Sequence, residues 1–277
     1  MNLGQALESG AARLKGPLAR SDAEIMLRHV TGLSRTDLLL QANREIDPES
    51  AKTYLDLVDR LREGEPLQYL TGHIEFYGLD FYVNPAVLIP RPETEVMVEK
   101  AIEIGRNYPF PTIADIGCGS GAVAVTLAKH LPQSKIIALD ISTTAIDLAQ
   151  RNASKNDLDN IEFIESDLLG AVSDHHFDIL CANLPYVPTV EAKTNGFEPQ
   201  LALDGGPDGL DVIRRLVRQI ASREDKPEWL LLEFGTGQGA AVKFILDASL
   251  PGSQTQVLRD FVPLDRVSVT RLTLRSS

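Results

Sequence analysis

The chain has 277 residues, 43% hydrophobic and 24% charged, with a formal net charge of −12. That length accommodates one large α/β domain plus an appendage, and no apolar run reaches the roughly 18 residues of a membrane helix. The acid excess opposes a nucleic-acid backbone as substrate, and two cysteines, Cys118 and Cys181, supply no disulfide framework.

The five histidines show no paired ligand spacing, so no metal is expected. His175 and His176 are adjacent and would point apart; they read as a polar turn. The N-terminus lacks the apolar core of a signal peptide, which makes the cytoplasm the expected location.

Residues 1 to about 70 read as a bundle of short helices. Ser21 to Glu24 has the Ser-x-x-Glu form of a capping box. Asp47-Pro48 reads as an N-cap followed by proline at the first helical position. Tyr54, Leu57, Val58 and Leu61 then form an apolar stripe. No chemistry is visible in this segment, so a recognition or docking role is expected.

Ile74 to Val83 alternates apolar and polar residues around Gly78, the pattern of a β-hairpin. The proline-rich stretch behind it turns helical from about Pro92. The expected division is a helical recognition domain at 1–71, a hairpin and linker at 72–92, and a larger domain at 93–277.

From Thr112 onward, strands and helices alternate. Strands are expected at Thr112–Gly119, Lys135–Ile141, Ile161–Asp167, Phe177–Tyr186 and Glu228–Phe234. Helices are expected at Ala122–His130, Thr144–Asn156 and about Leu210–Ala221. Short runs of Ile, Val and Leu flanked by helices mean a parallel sheet covered on both faces. The segment from Val257 to Arg275 reads as a hairpin adding antiparallel strands to the sheet edge. The fold class is therefore α/β, a doubly wound Rossmann-like domain behind a small helical bundle.

Asp115 to Ala122, DIGCGSGA, joins the first strand of this domain to its first helix. Gly117, Gly119 and Gly121 permit a tight turn and close backbone approach to a ligand, and the helix N-terminus behind them favours an anionic or polar group. Asp140 ends the next strand, where an open α/β sheet places the acid that holds ribose hydroxyls. A nucleoside-bearing cofactor follows. The glycines alone leave NAD and S-adenosylmethionine both open, since Gly117-x-Gly119-x-x-Ala122 also satisfies the loose dinucleotide fingerprint.

The spacing Asp115-x-Gly117-x-Gly119-x-Gly121 resembles the first motif of class I methyltransferases. The resemblance implies S-adenosyl-L-methionine as donor, held by the loop Gly117, Cys118, Gly119, Ser120 and Gly121. It implies that Asp115 orders this loop around the methionine part. It also matches Asp167, with Leu168 beside it, to the position that contacts adenine.

Asn183-Leu184-Pro185-Tyr186 closes the fourth strand, on the same rim. It resembles the Asn/Asp-Pro-Pro-Tyr motif of methyltransferases that act on planar nitrogens. Such a nitrogen is a poor nucleophile because its lone pair is delocalised. Two acceptors against its N–H bonds orient the lone pair and stabilise charge developing on nitrogen. The Asn183 side-chain oxygen and the Leu184 carbonyl are the expected pair, and the Tyr186 ring is expected to stack on the flat acceptor. Pro185 keeps Leu184 extended. Leucine at 184 replaces the usual proline, and Asn-Leu-Pro-Tyr also occurs in ribosomal-RNA adenine dimethyltransferases.

Four further stretches, EPLQYLTG (65–72), FYGLDFYVNPAVLIPRPETE (76–95), LALDGGPDGL (201–210) and LEFGTGQG (232–239), resemble the release factor glutamine methyltransferases of the PrmC/HemK family. The resemblance covers nearly the whole chain. It implies methylation of the glutamine side-chain amide in the Gly-Gly-Gln loop of peptide chain release factors, with the helical domain helping to hold the substrate. Arg91 and Glu93 receive no catalytic role. The competing readings are glutamine methylation of a ribosomal protein, adenine methylation in DNA or RNA, and a nucleoside sensor without chemistry. The low basic content opposes adenine in nucleic acid, and the presence of Asn183 opposes the sensor.

Overall fold

A computed structural model describes residues 1–194 and 196–272; residues 195 and 273–277, including the end of the expected C-terminal hairpin, lie outside it. The chain divides into two compact units, residues 1–73 and residues 74 onward. Among the described residues, no helix is long and apolar enough to cross a membrane.

The first unit is helical: α1 (Leu3–Arg13), α2 (Ala19–Thr31), α3 (Arg35–Leu40), α4 (Pro48–Arg62) and α5 (Leu67–Thr71). Asp47 caps α4 as expected, its side chain accepting from Ser50 N–H at 2.8 Å. The expected box at Ser21 is absent. The Leu18 carbonyl already accepts from Asp22 N–H, so Ser21 sits inside α2, which has no side-chain cap. A capping box forms instead at Asn2, where Asn2 and Gln5 each accept from the other's backbone N–H.

Tyr54, Leu57 and Val58 lie in the core with Leu3, Leu7, Met26 and Leu27, and Leu61 packs against it half-buried. Tyr54 explains a glycine. A Cβ on Gly10 of α1 would lie 1.8 Å from the Tyr54 hydroxyl, so the ring occupies the space of a missing side chain.

The second unit opens with a hairpin, β1 (His73–Phe76) and β2 (Leu79–Tyr82). Its two turn residues, Tyr77 and Gly78, both have positive φ (51° and 74°), the backbone that matches strand twist in a two-residue turn. Phe76 and Phe81 meet edge to face at 6.1 Å and belong to the same buried cluster as Met97, Ile113 and Val123.

A 3-10 turn at Pro92–Thr94 leads into α6 (Glu95–Gly105). Then come β3 (Thr112–Ile116), α7 (Ala122–His130), β4 (Lys135–Asp140), α8 (Thr143–Lys155), β5 (Ile161–Glu165) and β6 (Ile179–Ala182). Two short helices, α9 (Thr189–Ala192) and α10 (Gln200–Leu203), precede α11 (Asp211–Ser222), β7 (Trp229–Glu233), α12 (Gly239–Ser249), β8 (Gln254–Arg259) and β9 (Asp265–Arg271). α12 has no counterpart among the expected elements. β6 is shorter than expected, since the strand ends at Ala182 and Asn183 has already left it.

Among the described residues β1 and β2 form a two-stranded sheet of their own, and the other strands form one seven-stranded sheet in the order β5-β4-β3-β6-β7-β9-β8. β9 and β8 are antiparallel additions beyond β7, as expected, and the other pairings are parallel. Alternate strand residues feed two cores. Ile113, Ile136 and Ile179 lie in one, and Ala114, Ile137 and Leu180 in the other. Both faces are thus covered by helices, the doubly wound arrangement. From β3 the chain builds outward to β5, then returns to lay β6 on the other side of β3. That reversal opens a crevice at the carboxyl ends of β3 and β6, where ligands bind in such sheets.

Candidate active site

The loops leaving β3 and β6 meet at this crevice. A cavity of about 730 Å³ is lined there by Asp115, Gly117, Cys118, Gly119, Ser120, Asp140, Asp167 and Leu168 on one side and Asn183, Leu184 and Pro185 on the other. That volume lies within the range of small-molecule and cofactor sites.

The glycine loop is held from three directions. Gly117 and Cys118 N–H both donate to the Leu139 carbonyl, at 2.8 and 2.9 Å. Asp140 takes Gly119 N–H on Oδ2 at 2.8 Å and Ser142 N–H on Oδ1 at 2.9 Å. Asp115 takes Ala124 N–H, from the first turn of α7, on Oδ2 at 3.0 Å. Burial pushes the Asp115 carboxyl up to about 7, partly offset by that N–H, with Asp140 adding to the rise. Burial also raises Asp140 and the Cys118 thiol.

The three glycines serve different purposes. Gly119, at φ +54°, faces open space and lines the cavity. Gly121, at φ +78°, is absent from the lining; a Cβ there would lie 2.9 Å from the Ala149 Cβ, so it permits α7 to approach α8. A Cβ on Gly117 would lie 3.2 Å from Leu184 Cδ2 and 3.7 Å from the Asn183 carbonyl oxygen. Leu184 and the Asn183 carbonyl therefore close in on the glycine loop and leave little room for a side chain at Gly117.

This cradle fits a nucleoside carrying an amino-acid tail. Gly119 leaves room at the loop, Asp140 presents a carboxyl at the end of β4, and Asp167 and Leu168 line the wall beyond it. Asp167 is also ion-paired with Arg215 of α11, another lining residue.

Asn183 is half-buried, and its Nδ2 donates to Thr94 Oγ1 at 3.1 Å. Leu184 is buried and belongs to the core beneath the sheet rim. Tyr186, expected to stack on the acceptor, is not among the lining residues. Its hydroxyl donates to Glu233 Oε1 at 3.1 Å, and its carbonyl accepts from Gln238 Nε2 at 2.9 Å. The ring thus buttresses the motif. Burial, with the Glu233 carboxyl beside it, drives the Tyr186 hydroxyl pKa well up. Burial likewise raises Glu233, while the Tyr186 hydroxyl that donates to it opposes the rise.

Several residues here escape the sequence reading. Thr94 lies in PRPETE, whose role as a helix start hides it. Glu233 and Gln238 lie in LEFGTGQG; a glutamate closing an apolar strand was a usable signal for the first. The glycines of LALDGGPDGL are close-approach positions. A Cβ on Gly205 would lie 2.6 Å from the Pro185 carbonyl oxygen, and one on Gly209 would lie 2.2 Å from that of Tyr186. Arg91 has a fastening role, pairing with Glu198, which also accepts from Ile89 N–H at 3.2 Å.

Comparisons with known proteins agree with this arrangement. The family model of the PrmC N-terminal domain matches residues 5–72, and that of the methyltransferase small domain matches residues 95–198. A release factor glutamine methyltransferase from Moorella thermoacetica is 42% identical over 276 residues, 96% of this chain and 97% of the relative. One from Escherichia coli is 37% identical, covering 91% of this chain and 92% of the relative. Among solved structures, the hMettl16 catalytic domain in complex with a 3'UTR hairpin shares the fold at TM-score 0.59 and 18% identity, covering 83% of this chain and 84% of that one. The chain belongs to the release factor glutamine methyltransferase family.

Proposed function

We propose that this enzyme methylates the side-chain amide nitrogen of the glutamine in the Gly-Gly-Gln loop of peptide chain release factors, with S-adenosyl-L-methionine as donor. The observation that carries the reading is that Asn183, Leu184 and Pro185 line the same cavity as Gly117 to Ser120 and Asp140. Family membership supports the choice of glutamine.

S-adenosyl-L-methionine, when bound, supplies an electrophilic methyl group on a sulfonium. Gly117 to Ser120 and Asp115 cradle its amino-acid part, Asp140 takes the ribose hydroxyls, and Asp167 with Leu168 borders the adenine. Asn183 Oδ1 and the Leu184 carbonyl accept the two N–H bonds of the glutamine amide. They fix its plane and turn the nitrogen lone pair toward the donor. Both acceptors oppose the positive charge that grows on nitrogen, which is their contribution to the rate. A side-chain base is not required before transfer, because the methylated nitrogen is acidic enough to lose its proton to water. The helical segment 1–71 helps hold the release factor, 72–92 connects it to the catalytic domain, and the enzyme works in the cytoplasm beside the translation machinery.

The test uses labelled S-adenosyl-L-methionine with a release factor, intact or with its loop glutamine changed to alanine. Label on the intact protein alone is expected. Label on both, or on neither, overturns the reading, and a ribosomal protein and an RNA serve as alternative acceptors in the same assay. Asn183→Ala should lower turnover about 100-fold or more with donor affinity nearly unchanged.

A further inference from the structure

The peptide group between Leu184 and Pro185 carries the Leu184 carbonyl, and it has no N–H. Its plane therefore cannot be fastened through its own nitrogen while its oxygen is kept for a substrate. The aim of that carbonyl has to be set by the groups on either side. Upstream, Asn183 follows directly on β6. Downstream, the Pro185 ring fixes one dihedral, and the next backbone groups are engaged one after another.

The Pro185 carbonyl oxygen lies against Gly205, where a Cβ would be 2.6 Å away. The Tyr186 carbonyl accepts from Gln238 Nε2 at 2.9 Å and lies against Gly209, where a Cβ would be 2.2 Å away. Val187 donates its N–H to the Leu203 carbonyl and accepts from Gly205 N–H, both at 2.9 Å.

Three segments of the chain meet at Gln238. Its Oε1 accepts from Gly235 N–H at 2.8 Å, and its Nε2 also reaches the Asp208 carbonyl at 3.3 Å. A backbone N–H can only donate and a carbonyl can only accept, so these partners allow the amide a single orientation. Gln238 is half-buried and does not line the cavity. It holds the motif from behind.

We propose that Gln238 is a positioning residue: by holding the Tyr186 carbonyl, it sets the aim of the Leu184 carbonyl two residues upstream. This rests on the reading of the Leu184 carbonyl as half of the acceptor clamp. It gives LALDGGPDGL and LEFGTGQG a shared task. The glycines admit the backbone of the motif, and Gln238 locks it.

Gln238→Glu tests the lock. At pH 8 the introduced carboxylate still accepts from Gly235 N–H, but it sets a bare oxygen against the Tyr186 and Asp208 carbonyls. The kcat on the release factor should fall about 30-fold, while its KM and the donor affinity stay within about threefold of wild type. Burial and the two carbonyls raise the pKa of the introduced group, and its protonated form can donate again. Relative to wild type, kcat should therefore recover about tenfold between pH 8 and pH 5.5. The Arg214 guanidinium holds the neighbouring Asp208 carboxyl well below the usual range, so Asp208 stays ionised throughout. Glu233 and Tyr186 are common to both proteins and leave the ratio unchanged. Gln238→Met, which has no donor, should show the fall without the recovery.

The carbonyl carbon resonances of Tyr186 and Leu184, followed by NMR without any acceptor, give an independent readout. In Gln238→Glu both should move at pH 8 and return toward wild type at pH 5.5. A Tyr186 resonance that moves alone overturns the proposal, as does a loss of kcat without recovery at low pH, or a rise in KM in place of that loss. If wild type leaves the release factor unmodified but the two resonances move together, the acceptor reading falls and the positioning of the Leu184 carbonyl stands.

Discussion

Asn152 of α8 and Tyr82 of β2 are tied by two hydrogen bonds across 70 residues: Asn152 Oδ1 accepts from Tyr82 N–H at 2.7 Å, and Asn152 Nδ2 donates to the Tyr82 carbonyl at 3.0 Å. The same Nδ2 donates to the Ser120 carbonyl at 2.8 Å. One buried amide therefore fastens the hairpin to the glycine loop. Asn152→Ala leaves three backbone groups without their partner and should cost about 3 kcal/mol of stability. Urea unfolding should show a lower midpoint, and calorimetric titration a weaker donor affinity. A variant with unchanged donor affinity would mean that the loop stands without this tie.

The glycines separate stability from binding. Gly121→Ala forces a Cβ against Ala149 at positive φ and should destabilise by about 2 kcal/mol. Gly119→Ala meets open space, so the fold should lose about 1 kcal/mol from the backbone alone. The added methyl projects from a lining residue, however, and donor affinity should fall at least tenfold by titration. Similar donor affinities in the two variants would contradict this division.

Asp115 predicts a pH effect with a definite sign. Its carboxyl sits at about 7 in the folded chain, against an ordinary value of 3.8. Between those values the folded chain holds a proton that the unfolded chain has released. Stability is therefore highest below the unfolded value, declines as pH rises through the folded one, and levels off above it. Asp115→Asn keeps an acceptor for Ala124 N–H and removes the titration. From pH 5 to pH 8 the variant should gain about 3 kcal/mol relative to wild type. Parallel pH profiles of the urea midpoint in the two proteins would exclude the effect.

In the helical unit, burial pushes the Tyr54 hydroxyl up to about 12, and it has no hydrogen-bond partner among the described residues. Tyr54→Phe removes an unsatisfied buried group while keeping the ring. The variant should be more stable by about 1 kcal/mol, read as a higher unfolding temperature of the full chain. A loss of stability would point to a partner such as a buried water.

Local patterns carried the sheet, the glycine loop and Asp140 into view, because period-two runs ending in glycine or an acid keep their meaning whatever surrounds them. Asp47 was legible for the same reason. Ser21 has the right letters for a cap, but the turn after Gly16 starts the helix earlier. The rest involves distant partners. Tyr186 is fastened through its hydroxyl to Glu233, 47 residues on. Thr94 matters through Asn183, 89 residues away, and no periodicity encodes that pairing. The sequence resemblance pointed to those stretches without saying what each residue does.

Leucine at position 184 was the irregular letter of the motif, and its surroundings give it a further use. Its Cδ2 stands 3.2 Å from where a Cβ on Gly117 would lie, so a shift of the glycine loop changes the surroundings of that methyl. Leu184→Pro, which keeps the carbonyl, should preserve turnover to within about threefold, as steady-state rates would reveal. The native leucine is thus a built-in reporter: its methyl resonance should move on donor binding before any acceptor arrives, announcing that one half of the crevice has been filled to the half still waiting.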